Sequence, residues 1–238
     1  MIRYPHVPLI GLALVFIYGG SACGAPFVPT GVTPGSPYHL IFVTSGQRDA
    51  SSMNIADYNN FVNAQAANNP VVTGTNMGVQ YFAVGSTTAI DANVNAPVTA
   101  PVYNFNDELI ANNFADLWDG TLNNAILYDE FGSPGFPDVW TGTQTNGAAF
   151  VGQELGTATP HTGLANLSNS LWIDDFQSNN NTAFSFYGLS QQLIAPSGNN
   201  VPEPSSLVCW TLLMTGLLLF ALAQRRRSLR QTVNASAR

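Results

Sequence analysis

The chain has 238 residues with 14 acidic side chains against seven arginines and no lysine, a formal net charge of −7, and only 9% of its residues are charged. An anionic chain this poor in cations excludes nucleic acid and anionic polysaccharide as partners by charge repulsion. The two cysteines, Cys23 and Cys209, both lie in apolar terminal stretches, which excludes a disulfide framework for the region between them.

The first element is a terminal one. Arg3, an apolar run over 7–18 and a small-residue exit over 19–25 form the pattern of a secretory signal peptide, here residues 1–25. Twelve apolar residues are too few to span a bilayer. Cleavage after Ala25 places Cys23 and Ala25 at the small positions before the cut. A lipoprotein signal, with Cys23 acylated, is the rival reading; it finds Gly20 where a branched aliphatic residue is expected.

Residues 26–37 carry Pro26, Pro29, Pro34 and Pro37 and read as an extended leader. A strand follows over 38–44 (YHLIFVT), whose unbroken apolar character predicts that both faces are covered. A helix is predicted over 55–67. Asn54 is placed to cap it, Asp57 favours its first turn, and Ile55, Tyr58, Val62 and Ala66 form one stripe; Asn68, Asn69 and Pro70 end it. Residues 79–84 and 98–105 are the next strand candidates, separated by a polar loop over 91–97. A short helix over 114–118 is capped by Asn112 or Asn113 and stopped by Gly120. Four short strands are expected over 126–128, 139–141, 170–173 and 183–187, in sequence dense with Gly, Asn and Pro. No internal repeat is visible, which argues against a propeller or solenoid. Residues 196–204 form a small, polar, proline-containing linker.

The C-terminal end has three parts in order: Pro202, Glu203 and Pro204; an uncharged apolar stretch over 207–223, extended to 205–224 by interfacial residues; and Arg225, Arg226, Arg227 and Arg230. At about 1.5 Å of rise per residue, such a stretch is just long enough as a helix to cross a hydrocarbon layer of about 30 Å. The arginines predict a cytoplasmic tail, 225–238, with everything before Pro202 outside. This arrangement resembles the PEP-CTERM sorting signal of Gram-negative bacteria that make extracellular polymer. The resemblance implies Sec-dependent export, a single-pass stay in the inner membrane, and processing by an exosortase near Pro202, Glu203 and Pro204. The product would then reside at the cell surface or in the extracellular matrix.

A second resemblance lies within the exported part, residues 38–195. YHLIFVTS at 38–45, ADYNNFVNAQA at 56–66, PVYNFNDEL at 101–109 and VWTGTQTNG at 139–147 resemble, in order, segments of endostatin, the C-terminal module of certain collagens. The fold it implies is α+β: a single C-type-lectin/endostatin-like domain rich in short strands with two early helices, joined to one C-terminal transmembrane helix. Endostatin's disulfides have no counterpart here. Its heparin-binding arginine surface is absent too, since Arg48 is the one arginine between the terminal segments. Of its zinc ligands, the resemblance carries over the strand histidine onto His39 and the aspartate before Glu-Leu onto Asp107, while the N-terminal histidines are missing.

Several constellations compete for a chemical role. His39 with Asp107 reads either as part of a zinc site or as a histidine hydrogen-bonded to a carboxylate. Asp116, Asp119, Asp129, Glu130 and Asp138, with Asp174 and Asp175 after Trp172, offer oxygen ligands for calcium or are solvated acidic turns. His161, in TPHTG, reads as an exposed loop residue. Trp118, Trp140 and Trp172 are read as core before sugar platforms. No Gly-x-Ser-x-Gly elbow, phosphate loop or dinucleotide fingerprint is present. The expectation is therefore a non-catalytic module that binds polysaccharide or a surface protein. The alternative is a secreted hydrolase working through carboxylates.

Overall fold

A computed structural model describes residues 26–197. The signal segment, the Pro-Glu-Pro motif at Pro202, Glu203 and Pro204, the apolar stretch and Arg225, Arg226 and Arg227 lie outside the described residues. Among the described residues no helix is long and apolar enough to cross a membrane. Their architecture is mixed α+β, with many short strands and few helices.

The apolar run near the start forms β1 (Pro37–Val43), and every residue of it after Pro37 is buried. Its side chains alternate between two clusters, as the two-residue period of a strand requires. Ile41 and Val43 enter one, with Trp118, Trp172 and Tyr187; Tyr38, Leu40 and Phe42 enter the other, with Tyr58, Tyr81 and Phe186. Burying both faces explains why β1 has no polar alternation.

The helix expected next is α1 (Ile55–Ala66). Asn54 accepts a hydrogen bond from Ala56 N, and Tyr58, Val62 and Ala66 are buried. Pro70 does more than follow this helix, because it starts a second one, α2 (Pro70–Thr73), at the position where its missing N–H costs nothing. Further along lie β2 (Tyr81–Ala83), α3 (Ala92–Asn95), β3 (Val102–Tyr103), β4 (Leu109–Ala111) and α4 (Phe114–Leu117), the last capped by Asn113. The chain then forms β5 (Asp138–Trp140), β6 (Thr162–Leu164), β7 (Tyr187–Ser190) and β8 (Leu193–Ile194).

The main sheet runs β2-β7-β1-β3-β4, with β8 also pairing β1; β5 and β6 form a separate hairpin-like ladder. Among the paired strands of the described residues, β1 and β3 are parallel and the other pairs antiparallel. The pairing sums along β1 slip by one residue between β7 (Ile41 with Leu189) and β8 (Tyr38 with Leu193). Ser190 fills the slip, its Oγ accepting Leu40 N–H at 2.9 Å where a ladder carbonyl would otherwise sit. The body closes at its two ends on one edge: Gly35 N donates to Ala195 O at 2.9 Å and Ala195 N to Ser36 O at 3.0 Å.

Four expectations are corrected. The leader is docked and turned, with Phe27, Val28 and Val32 packed against the Tyr38 cluster and Phe27 N bonded to Val72 O. Residues 126–128 are no strand, because Leu127 adopts a left-handed φ of 41° that breaks any ladder. Residues 170–172 form a 3-10 turn, for which Asn169 accepts from Leu171 N. The expected strand at 183–187 gives only isolated bridges before β7 begins at its last residue.

Candidate functional site

The two residues carried over as zinc ligands are held in separate networks. His39 is 1% exposed, with Nδ1 2.8 Å from Ser190 O and Nε2 3.1 Å from Thr99 N and Oγ1. The Ser190 carbonyl can only accept, so Nδ1 carries the proton, and Nε2 accepts from the Thr99 N–H. Burial lowers the imidazole's pKa, against the Ser190 and Gln191 backbone bonds that raise it, so the ring is neutral. Asp107 sits in the left-handed region at φ 68° and accepts from Thr30 N at 2.6 Å and from Thr30 Oγ1. It fastens the leader, not the histidine. Both nitrogens of His39 are committed to the sheet edge, and the donor set does not fit a zinc site.

Three of the acidic residues offered for calcium, Asp116, Asp119 and Asp129, are bound by groups near them in the chain. Asp116 accepts from Asn112 N and Nδ2 and from Asn123 Nδ2, and the Asn112 backbone bond heads the causes that lower its pKa. Asp119 accepts from Thr121 N and Oγ1. Among the described residues, no three His, Cys, Asp or Glu side chains are grouped to hold a metal ion.

His161 departs furthest from expectation. It is 7% exposed, stacked on Phe150 at 4.2 Å between ring centroids, with Nδ1 2.8 Å from Asp174 Oδ1. The contact is close but off the line of a hydrogen bond, so the ring nitrogen is paired by charge only when protonated. Asp175 lies near both His161 and Asp138; burial first, then Asp138, raise its pKa, with His161 opposing and Asp174 adding to the rise. Among the described residues all three tryptophans are in the core: Trp140 and Trp172 are fully buried and Trp118 nearly so.

The constellation that sequence reasoning missed lies where β1 ends. Ser45 follows the strand, and the 129–136 turn closes over it. Together Ser45, Asp129, Pro134, Gly135 and Phe136 line a cavity of about 220 Å³. Asp129 is 8% exposed and accepts Phe131 N and Ser133 N, both at 2.9 Å and both on Oδ1. Its carboxylate forms part of the cavity wall. The turn also lifts Phe131 and Phe136 outward, about half of each ring in solvent. Below them Glu130 is fully buried, accepting Ser45 N at 2.9 Å and the Ser45 hydroxyl. The sequence signal was available, since two phenylalanines bracket a Gly-Ser-Pro-Gly turn directly after Asp-Glu, but only the fold brings that turn over Ser45.

No protein-family model matches the chain, and no curated protein matches it.

Proposed function

We propose that this is an exported, exosortase-processed protein of the cell surface or extracellular matrix, whose body is a C-type-lectin-like module that binds polysaccharide or protein without turning it over. The observation that carries this reading is the junction at Ala195. The folded body is tied off there against Gly35 and Ser36, and the sequence then runs directly through a short polar linker into Val-Pro-Glu-Pro, the apolar stretch and the arginines. A self-contained body followed by a sorting tail is the order a surface substrate needs. Pairing of the first strand with the last, β1 with β8, supports the lectin-like reading as well.

The contact surface we assign is the cavity at Ser45. Exposed Phe136 offers an apolar face, and Asp129 offers a carboxylate that can accept from hydroxyls, a combination suited to an uncharged sugar. The body's charge disfavours an anionic ligand, since Arg48 is its one cation apart from histidine.

Two measurements test the proposal. Termini sequenced on the protein recovered from a producing bacterium should begin near Pro26 and end near Glu203; recovery from the cytosol with both ends intact overturns export. Retention of the secreted protein on neutral matrix polysaccharide should fall roughly fivefold in Phe136→Ala, about 1 kcal/mol for one lost ring face. Release of shortened glycans that stops in Asp175→Asn would instead favour a hydrolase built on the His161 group.

A further inference from the structure

Beneath the cavity, four groups from three segments meet in the arrangement that acyl transfer requires. Ser45 Oγ donates to Glu130 Oε1 and lies 3.5 Å from Oε1 of Gln65, a residue in the last turn of α1. Gly46 N–H donates to that same amide oxygen at 2.9 Å. A hydroxyl, a carboxylate that can take its proton, an amide carbonyl and a backbone donor on the carbonyl oxygen are thereby in register. The amide carbon is bonded to that oxygen at about 1.2 Å, so it lies within about 4.7 Å of Ser45 Oγ, and a small turn of the Gln65 side chain is what attack at about 3 to 3.5 Å requires.

We propose that Ser45 and Gln65 become joined by an intramolecular ester, a modification site with Glu130 as its catalytic base. Ser45 Oγ attacks Gln65 Cδ while Glu130 takes the hydroxyl proton. Charge developing on Oε1 is held by the Gly46 N–H. The Cδ–Nε2 bond then breaks, the proton passes from Glu130 to the departing nitrogen, and ammonia leaves. One C–O bond forms and one C–N bond breaks, nothing is oxidised or reduced, and Glu130 is returned to its starting form. Gln65 is only partly buried and its Nε2 makes no hydrogen bond to the described residues, so the leaving group has a way out.

The surroundings are built to hold these atoms. Glu130 is aligned by Ser45 itself, through the bond to its backbone N–H. Thr44 Oγ1 donates to Gly46 O at 2.7 Å and accepts from Phe186 N at 2.9 Å, which fixes the peptide that carries the Gly46 donor. Position 46 must be glycine for the approach to occur, since a Cβ there would lie 2.5 Å from Gln65 Oε1 and 2.9 Å from Cδ. The need is also visible. Residues 26–197 contain no cysteine for a disulfide and no lysine for an amide cross-link, so a hydroxyl and a carboxamide are the side chains left for a covalent staple in an exported body. The ester closes the segment from 45 to 65 and ties the end of β1 to α1, constraining the unfolded chain as a disulfide would.

Mass spectrometry of the full chain in its purified form, with its termini established by sequencing, decides the matter. The protein is expected to be lighter than its sequence by one ammonia, with a fragment containing Ser45 linked to one containing Gln65, and hydroxylamine should split the link. Ser45→Ala and Gly46→Ala should each restore the full mass, the latter by pushing only the flexible end of Gln65 away, so that it keeps its fold even where Glu130→Gln does not. Linear fragments carrying unmodified Ser45 and Gln65, or a Gln65 that has lost ammonia without gaining a link, overturn the proposal.

Discussion

The end of β1 and the β5–β6 ladder both draw acidic side chains inward, and they treat them oppositely. Glu130 is fully buried and its two oxygens accept the Ser45 N–H and hydroxyl, so the desolvated group is matched atom by atom. Asp174 and Asp175 neighbour His161 at the rim of the ladder, with Asp138 close to Asp175, all partly in water and with the one close contact off line. Burial of a charged group is tolerated where the backbone supplies donors, and where it does not the groups stay near solvent. The first region is a clamp. The second is a cluster of mutually repelling charges beside a packed core.

The largest effect expected from breaking this contrast is on the ladder's own packing. Gly163, in β6, pairs with Val139 of β5, and a Cβ built on it would fall 2.1 Å from the Trp172 carbonyl oxygen and 2.7 Å from the carbonyl carbon. Both are backbone atoms that cannot step aside. Gly163→Ala should cost about 3 kcal/mol as Trp172 is forced out of its contacts with Trp118 and Tyr187. An unchanged urea midpoint would show that the ladder is looser than its geometry.

Next in size is Glu130→Ala. It orphans the Ser45 N–H and hydroxyl and opens space beside Asn69, whose Nδ2 donates to Glu130 O at 3.1 Å. Two polar groups losing their acceptor in a dry site cost about 2 to 3 kcal/mol together. Asp175→Ala, by contrast, should leave the unfolding free energy within about 0.5 kcal/mol of wild type, because burial and Asp138 oppose its charge and water screens the group. Equal losses from the two substitutions would erase the distinction between clamp and rim.

How far the sequence foretells these regions follows the range of the interactions. α1 is legible to within a residue, because Asn54, Asp57 and the Tyr58, Val62, Ala66 stripe are local signals. β1 is legible because burial on both faces leaves an unbroken apolar run. The 170–173 segment misleads: Leu171, Trp172 and Ile173 look like a strand, but Asn169 captures the Leu171 N–H and curls the chain into a 3-10 turn that still buries Trp172. His161 misleads for a different reason. Its flanking Pro160 and Thr162 suggest a loop tip, while the stack on Phe150 that buries it comes from a segment eleven residues away. The meeting of Ser45, Gln65 and Glu130 is beyond any local pattern, since it depends on the turn after Asp129 folding back over the end of β1.

The smallest predicted effect is the pH response of the rim, and its sign separates the two kinds of site. Asp175 has its pKa raised, chiefly by burial and then by Asp138 and Asp174, with His161 opposing. Ionising it is therefore harder in the folded protein than in the unfolded chain. Its contribution to stability is present below the ordinary carboxylate value of 3.8 and is lost as pH rises through its folded pKa. Asp49, lowered mainly by its bonds from Ser51, and Asp116, lowered by those from Asn112, contribute in the opposite sense, above 3.8, and lose it as pH falls. In melts taken between about pH 3 and about pH 6, where carboxylates titrate, Asp175→Asn should gain on wild type as pH rises and then level off. The gain stays within about 0.5 kcal/mol because solvent screens the group. A gain that shrinks with rising pH would mean that Asp175 is stabilised as a carboxylate by His161, and that the rim is a second clamp after all.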